Sequence, residues 1–186
     1  SAASDVYKRQ PEGHKDPEYL ARLLRDEAVT GLHFVPTMLS AFISTPSVRA
    51  LLGDERVALR HIVCSGEALT REQVRGTVDL VGVHPLNLYG PTEAAIDVTA
   101  WDTETDPDAA VVPIGRPAWN TGCHVVDPTG HLCPPGIPGE LCLSGVQVMS
   151  GYLNRPDADA AALDTIPLGS GCGRPGSPDA VSYTHL

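Results

Sequence analysis

Apolar positions along this chain alternate between helix-like and strand-like spacing. Tyr19-Leu20-Ala21-Arg22-Leu23-Leu24 carries helical spacing, and Leu32-His33-Phe34-Val35 is a short apolar run stopped by Pro36, the pattern of a buried strand. Helices are predicted over residues 38–43 and 47–52, and a strand over 59–64. Ser65-Gly66-Glu67 then makes a turn, and Thr70 followed three positions later by Gln73 is a capping-box start for another helix. A further short strand is predicted over residues 81–86. From Ile96 onward the texture changes to short β runs punctuated by Pro and Gly, with Asp127-Pro128-Thr129-Gly130 and Pro134-Pro135-Gly136 as hairpin-type turns. The pattern predicts an α/β half followed by a β-rich half. No internal repeat is visible and no linker marks two independent domains, so one domain is expected.

Just after the strand expected at 81–86 comes Asn87-Leu88-Tyr89-Gly90-Pro91-Thr92-Glu93, an amide, an aromatic ring, a hydroxyl and a carboxylate gathered around a Gly-Pro turn. Open α/β sheets place ligands beyond the C-terminal ends of their strands. Gly90 lets backbone approach a ligand closely and Pro91 rigidifies the turn. Asn87 can bond an adenine edge, Tyr89 can cover its face, Thr92 can donate to phosphate and Glu93 can hold Mg²⁺. The same letters also suit an ordinary turn that ends in a helix cap.

Composition narrows the classes. A chain of 186 residues with 42% hydrophobic content can bury one core. The formal net charge of −10, with no basic run, argues against nucleic acid or an anionic membrane surface as the main partner. No stretch approaches the roughly twenty apolar residues of a membrane span, and the N-terminus lacks a signal-peptide core, so a cytoplasmic location is expected. Cys64, Cys123, Cys133, Cys142 and Cys172 are scattered without a Cys-x-x-Cys pair, the pattern of free thiols rather than a metal or disulfide framework.

Asn-x-Tyr-Gly-Pro-Thr-Glu closely resembles the adenine- and magnesium-binding motif of nonribosomal peptide synthetase adenylation domains, members of the adenylate-forming superfamily. About fifty residues on, Gly139-Glu140-Leu141-Cys142-Leu143-Ser144-Gly145-Val146-Gln147-Val148-Met149-Ser150-Gly151-Tyr152-Leu153-Asn154-Arg155-Pro156 resembles the next core motif of that family. Pro113-Ile114-Gly115-Arg116-Pro117 and Val125-Val126-Asp127 match its connecting strands. The resemblance covers residues 16–164 and implies a partial adenylate-forming N-terminal core, an α/β sheet subdomain followed by a β-rich, barrel-like subdomain. Residues 1–15 and 165–186 have no counterpart in the family pattern. They read as sequencing-adaptor artefact or as disordered tails.

The resemblance also implies a reaction: an amino-acid carboxylate attacks the α-phosphate of ATP, pyrophosphate leaves, and the aminoacyl group passes to a phosphopantetheine thiol on a carrier domain. Carrier and condensation domains in the same polypeptide are the implied partners. Thr92 and Glu93 are the implied catalytic residues, with Glu93 the Mg²⁺ contact. Gly66, Glu67, Asn87, Leu88, Tyr89, Gly90 and Thr92 are the implied nucleotide contacts. The family's Ser/Thr-Lys-Gly phosphate loop, ribose-binding Asp and catalytic Lys have no matching positions, so the chain reads as an inactive central fragment.

By motif position, the substrate pocket falls on His33, Val63, Ser65, Leu88, Ile96 and Asp97. That series resembles the pocket of seryl-activating domains such as that of enterobactin synthetase. A His33–Asp97 pair would offer a partner to a hydroxymethyl group, and such a site rejects an analogue lacking the hydroxyl. Two alternatives stand beside it: an acyl-CoA-ligase or luciferase-like adenylate-forming enzyme, and a binding or scaffolding module without chemistry.

Overall fold

The computed structural model describes residues 13–52, 57–164 and 180–183. The described chain forms two compact units, one made of the residues up to Leu88 together with Trp101–Gly115, the other of Tyr89–Ala100 together with the residues from Arg116 onward. Their boundary runs through strands, where no linker composition could mark it.

In the first unit, α1 (Pro17–Asp26) starts on Asp16, whose carboxylate accepts from Glu18 N–H at 3.0 Å and Tyr19 N–H at 3.2 Å, with Pro17 at the first helical position. Strand β1 (Gly31–Phe34) is followed by α2 (Pro36–Ser44) and α3 (Pro46–Leu52), each opened by a proline. Strand β2 (His61–Cys64) leads to α4 (Arg71–Val81), where Thr70 and Gln73 form the capping box: Gln73 N–H donates to Thr70 Oγ1 at 3.2 Å and Thr70 N–H to Gln73 Oε1 at 2.7 Å. Val81 is the last residue of α4, and Gly82 ends it in the left-handed region at φ 69°. Strand β3 therefore begins only at Pro85 and runs to Tyr89. The strand expected over 81–86 started too early, because the apolar Val81 and Val83 belong to a helix end and its exit. As a result Asn87, Leu88 and Tyr89 lie inside β3, and only residues 90–93 lie beyond it.

Strand β4 (Thr99–Asp102) runs back beside β3, then comes β5 (Arg116–Pro117), giving the order β1-β2-β3-β4-β5. The first three strands are parallel. Leu32 pairs with Ile62 and Ile62 with Pro85; Phe34 pairs with Cys64 and Cys64 with Asn87. Paired residues share a face, and this face meets the helices. Phe34, Ile62 and Cys64 join Ala21 and Leu24 of α1, Leu39 and Phe42 of α2, Val48 and Leu52 of α3, and Val74 and Leu80 of α4 in one buried cluster. The opposite face carries His33 paired with Val63 and Val63 with Leu86.

The second unit holds β6 (Thr121–Val126), β7 (Glu140–Gly145), α5 (Pro156–Ala162), β8 (Leu163–Asp164) and β9 (Ala180–Tyr183), with β6-β7-β9-β8 in antiparallel order. Both expected turns form. Gly130 N–H donates to Asp127 O at 2.9 Å, and Ile137 N–H to Pro134 O at 3.1 Å, with Gly136 at φ 86° as a type II turn requires at its third position. The mixed α/β class follows the sequence reading. Strand β9 lies within the stretch read as a tail, whereas residues 1–12, 165–179 and 184–186 lie outside the described residues, as does Cys172. Among the described residues no helix is long and apolar enough to cross a membrane. Cys64 and Cys142 are buried, and Cys123 and Cys133 are half-buried.

Candidate functional site

The first unit brings seven of the sequence-predicted residues to or just beyond the C-terminal ends of its parallel strands. His33 and Val63 sit side by side in register, and Leu88 lies two residues past Leu86 on the same face. His33 Nε2 is 2.7 Å from Ser65 Oγ, and Ser65 is buried. Gly66, at φ 87°, turns the chain so that Glu67 reaches α2. There the Glu67 carboxylate accepts from Thr37 N–H at 3.0 Å and from the Thr37 hydroxyl. Helix α2 has no side-chain cap of its own from Val35, so Glu67 supplies both the missing acceptor and a negative charge at the positive end of the helix. Thirty positions separate Thr37 from Glu67, and local pattern carries no signal for such a bond.

Asn87 is 4% exposed and its Nδ2 donates to Pro113 O at 2.8 Å. One donor of the amide expected at the adenine edge is therefore engaged in fixing the loop that carries Pro113. Between Val63 and Ser65, burial pushes the Cys64 thiol up to about 12, which keeps it protonated and inert at neutral pH.

The second unit holds the remaining residues. Beyond Tyr89 the chain makes a 3₁₀ turn at Thr92–Ala94 and returns, with Val98 N–H donating to Tyr89 O at 2.8 Å. Gly90 is required by that return, because a Cβ there would stand 2.2 Å from Ile96 O. Ala95 and Ile96 both have positive φ, 54° and 80°. For a β-branched residue this is a strained conformation that costs of order 1–3 kcal/mol. Thr92 and Ile96 are exposed. Burial, then the neighbouring Cys123, raises the Tyr89 phenol above its ordinary value.

Partners from the second sequence motif hold this strained turn. Tyr152 OH donates to Glu93 Oε1 at 2.5 Å, and Met149 N–H donates to Glu93 O at 2.7 Å. Gln147 Nε2 donates to Asp97 O at 3.1 Å and its Oε1 accepts from Thr121 Oγ1 at 2.6 Å. Tyr152 is itself seated by Asp159, whose carboxylate accepts from Tyr152 N–H at 2.7 Å. The Glu93 hydrogen bond holds the Tyr152 phenol above its ordinary value, so it remains a donor at neutral pH. Asp97 Oδ1 is buried without a hydrogen-bond partner among the described residues, an arrangement that costs free energy until a donor arrives. Sequence reading placed Gln147 and Tyr152 in a motif without a task. Their partners lie 50 and 59 positions away, and only the fold shows them.

Comparison with known proteins bears on the family. The family of AMP-binding enzymes matches residues 3–153, starting inside the stretch that the motif reading set aside. Phosphinothricin tripeptide synthetase PhsB of Streptomyces viridochromogenes is 45% identical over 163 residues, 86% of this chain and 13% of that protein. Enterobactin synthase component F of Escherichia coli (strain K12) is 38% identical over 174 residues, 91% of this chain and 13% of that protein. Among solved structures, the nonribosomal peptide synthetase FmoA3 in its α-methyl-L-serine-AMP bound form superposes with a TM-score of 0.74 at 26% identity, covering 94% of this chain and 19% of that one. The chain thus spans 13% of the length of these curated relatives. Its sequence match over most of its length and the shared fold lead to one conclusion: the chain belongs to the AMP-binding enzyme family, as a segment of a nonribosomal peptide synthetase adenylation domain.

Proposed function

We propose that this segment carries the amino-acid-selecting and metal-binding part of a domain that activates L-serine. The reading rests first on Asp97, whose buried carboxylate oxygen has no hydrogen-bond partner among the described residues and calls for a donor such as the substrate's hydroxyl or ammonium. His33, linked to Ser65 at 2.7 Å, is by its motif position a second polar group of the pocket that the family resemblance implies, and Val63, Leu88 and Ile96 are by motif position its apolar members. Support comes from the enterobactin synthase relatives and from FmoA3, solved with α-methyl-L-serine-AMP.

In the whole domain, a substrate carboxylate oxygen forms a bond to the α-phosphorus of ATP while the bond to pyrophosphate breaks. Glu93 offers the hard carboxylate oxygen that Mg²⁺ prefers, held in place by Tyr152, and the residues present fit that ion. Bound there, the ion would neutralise charge on the phosphates. Thr92, exposed at the start of the 3₁₀ turn, can donate its hydroxyl to phosphate. The thiol of the phosphopantetheine on a carrier domain then takes the seryl group, the acyl–phosphate bond breaks and AMP leaves, with condensation domains in the same cytoplasmic polypeptide. A solved relative of this fold, PA1221, contains adenylation and PCP domains together.

ATP-dependent pyrophosphate exchange by the complete domain, measured with serine, threonine, alanine and a large apolar amino acid, tests the assignment. Serine should lead, alanine should fail despite fitting, and threonine should lose by crowding against Val63 and Ile96. Preference for the large apolar residue would refute the serine pocket, and no exchange with any amino acid would refute the enzymatic reading. The chain by itself, without a phosphate loop, ribose Asp and catalytic Lys among its residues, should show no exchange above background.

A further inference from the structure

We propose that residues 147–152 form a two-armed clamp on the strained turn that joins Glu93 to Asp97, with Tyr152 and Gln147 as positioning residues for two different substrates. The proposal rests on the roles assigned above to Glu93 and Asp97.

The two arms are built differently. Tyr152 grips a side chain, donating its hydroxyl to Glu93 Oε1 at 2.5 Å in a bond strengthened by the carboxylate charge. Gln147 grips backbone, donating Nε2 to Asp97 O at 3.1 Å while Thr121 Oγ1 donates to its Oε1 at 2.6 Å and so fixes which way the amide points. Between the grips lie Ala95 and Ile96 with positive φ, a conformation that relaxes unless both ends are restrained. Met149 N–H, donating to Glu93 O at 2.7 Å, ties the backbone of the turn to the middle of the clamp.

The clamp segment is seated in its turn. Gly151, at φ 142°, could not be replaced without strain, and a Cβ on it would press on the Asp159 carboxylate at 3.0 Å. That carboxylate accepts from Tyr152 N–H, so the phenol is aimed by its own backbone. The two grips sit four residues apart on the turn and use unrelated groups. Each can therefore be removed without removing the other, and the Glu93 arm should govern the nucleotide and its metal while the Asp97 arm governs the amino acid.

Three variants of the complete adenylation domain test this: Tyr152→Phe, Gln147→Glu and Glu93→Gln. Tyr152→Phe keeps the ring and removes the donor; Gln147→Glu keeps an acceptor for Thr121 and removes the donor to Asp97. Affinity for Mg²⁺-ATP is measured by calorimetry without amino acid, and KM and kcat for serine and alanine by pyrophosphate exchange. Tyr152→Phe should weaken Mg²⁺-ATP by about tenfold, the scale of one hydrogen bond to a charged group, and leave the serine-to-alanine ratio unchanged. Gln147→Glu should raise KM for serine and reduce that ratio severalfold, with Mg²⁺-ATP affinity unchanged. Equal shifts of both affinities in both variants, or no shift in either, would overturn the clamp.

Glu93→Gln separates the clamp from the reading beneath it. If Glu93→Gln leaves Mg²⁺-ATP affinity intact, the metal role of Glu93 fails and the clamp's nucleotide arm fails with it. If Glu93→Gln weakens the nucleotide but Tyr152→Phe does not, the clamp alone fails. Should Tyr152→Phe not fold, ring-labelled tyrosine NMR of Glu93→Gln reads the same arm. The Tyr152 ring resonances should shift once the carboxylate is gone, and an unchanged spectrum would overturn the contact.

Discussion

The two units position their candidate residues by different means. In the first, His33 and Val63 are set by the register of a parallel sheet backed by one buried cluster that reaches from Ala21 to Leu80. In the second, Glu93 and Asp97 lie on a strained turn, and side-chain and backbone hydrogen bonds from residues 147, 149 and 152 restrain it. Packing against a core is cooperative and tolerates the loss of one polar contact. A turn held by polar grips is local, so a single lost donor should move it while the protein stays folded.

The largest effect expected from that contrast is on the core side. Leu39 is fully buried, and Leu39→Ala should cost about 2–5 kcal/mol of unfolding free energy in urea, with the slope of the transition unchanged. A cost under about 1 kcal/mol would show that the first unit does not depend on this cluster. Next comes Glu93→Gln, which should lower turnover of the complete domain by roughly tenfold or more while the urea midpoint stays where it was. Unchanged turnover at saturating ATP and magnesium would give Glu93 another task. Asp97→Ala should narrow the preference for serine over alanine by about tenfold, since it removes the buried acceptor that an alanine complex leaves unpaired.

A smaller loss, about 1 kcal/mol, is expected for Thr70→Ala, because it deletes one half of the capping box on α4. The smallest effect separates the units by pH. Burial lowers the pKa of His124, which faces Ser144 Oγ at 3.0 Å in the second unit. Its folded pKa lies below the unfolded 6.5, so the unfolded chain binds the extra proton. Stability is full above 6.5 and falls as pH drops toward the folded value. His124→Gln should flatten this part of the stability profile, and an equally steep profile in the variant would assign the slope elsewhere.

Legibility in the sequence follows the same division. The capping box at Thr70, the presence of α2 and α3, the turns at Asp127 and Pro134 and the short apolar runs of β1 and β2 were readable, since each depends on neighbours within four residues. The start of β3 was not. Val81 and Val83 look strand-like, and only the left-handed Gly82 shows that α4 is still ending there. For the site, residue identities and their order were readable through the two motifs. The partners were not: Thr37 for Glu67, Pro113 for Asn87 and Tyr152 for Glu93 are contacts over long separations, and nothing in local composition encodes them.

The alternation in β1 and β2 has a consequence for how such a protein can change over generations. Leu32, Phe34, Ile62 and Cys64 face the helices, while His33 and Val63, proposed for substrate choice, occupy the intervening positions and point the other way. Stability and selectivity are thus written on alternate letters of the same short words. Replacing the odd letters can redirect what is recognised without rewriting what keeps the sheet folded, whereas a one-residue slip would exchange the two vocabularies at once. A lineage built this way can explore new substrates by point substitution, provided that the reading frame of the strand is kept.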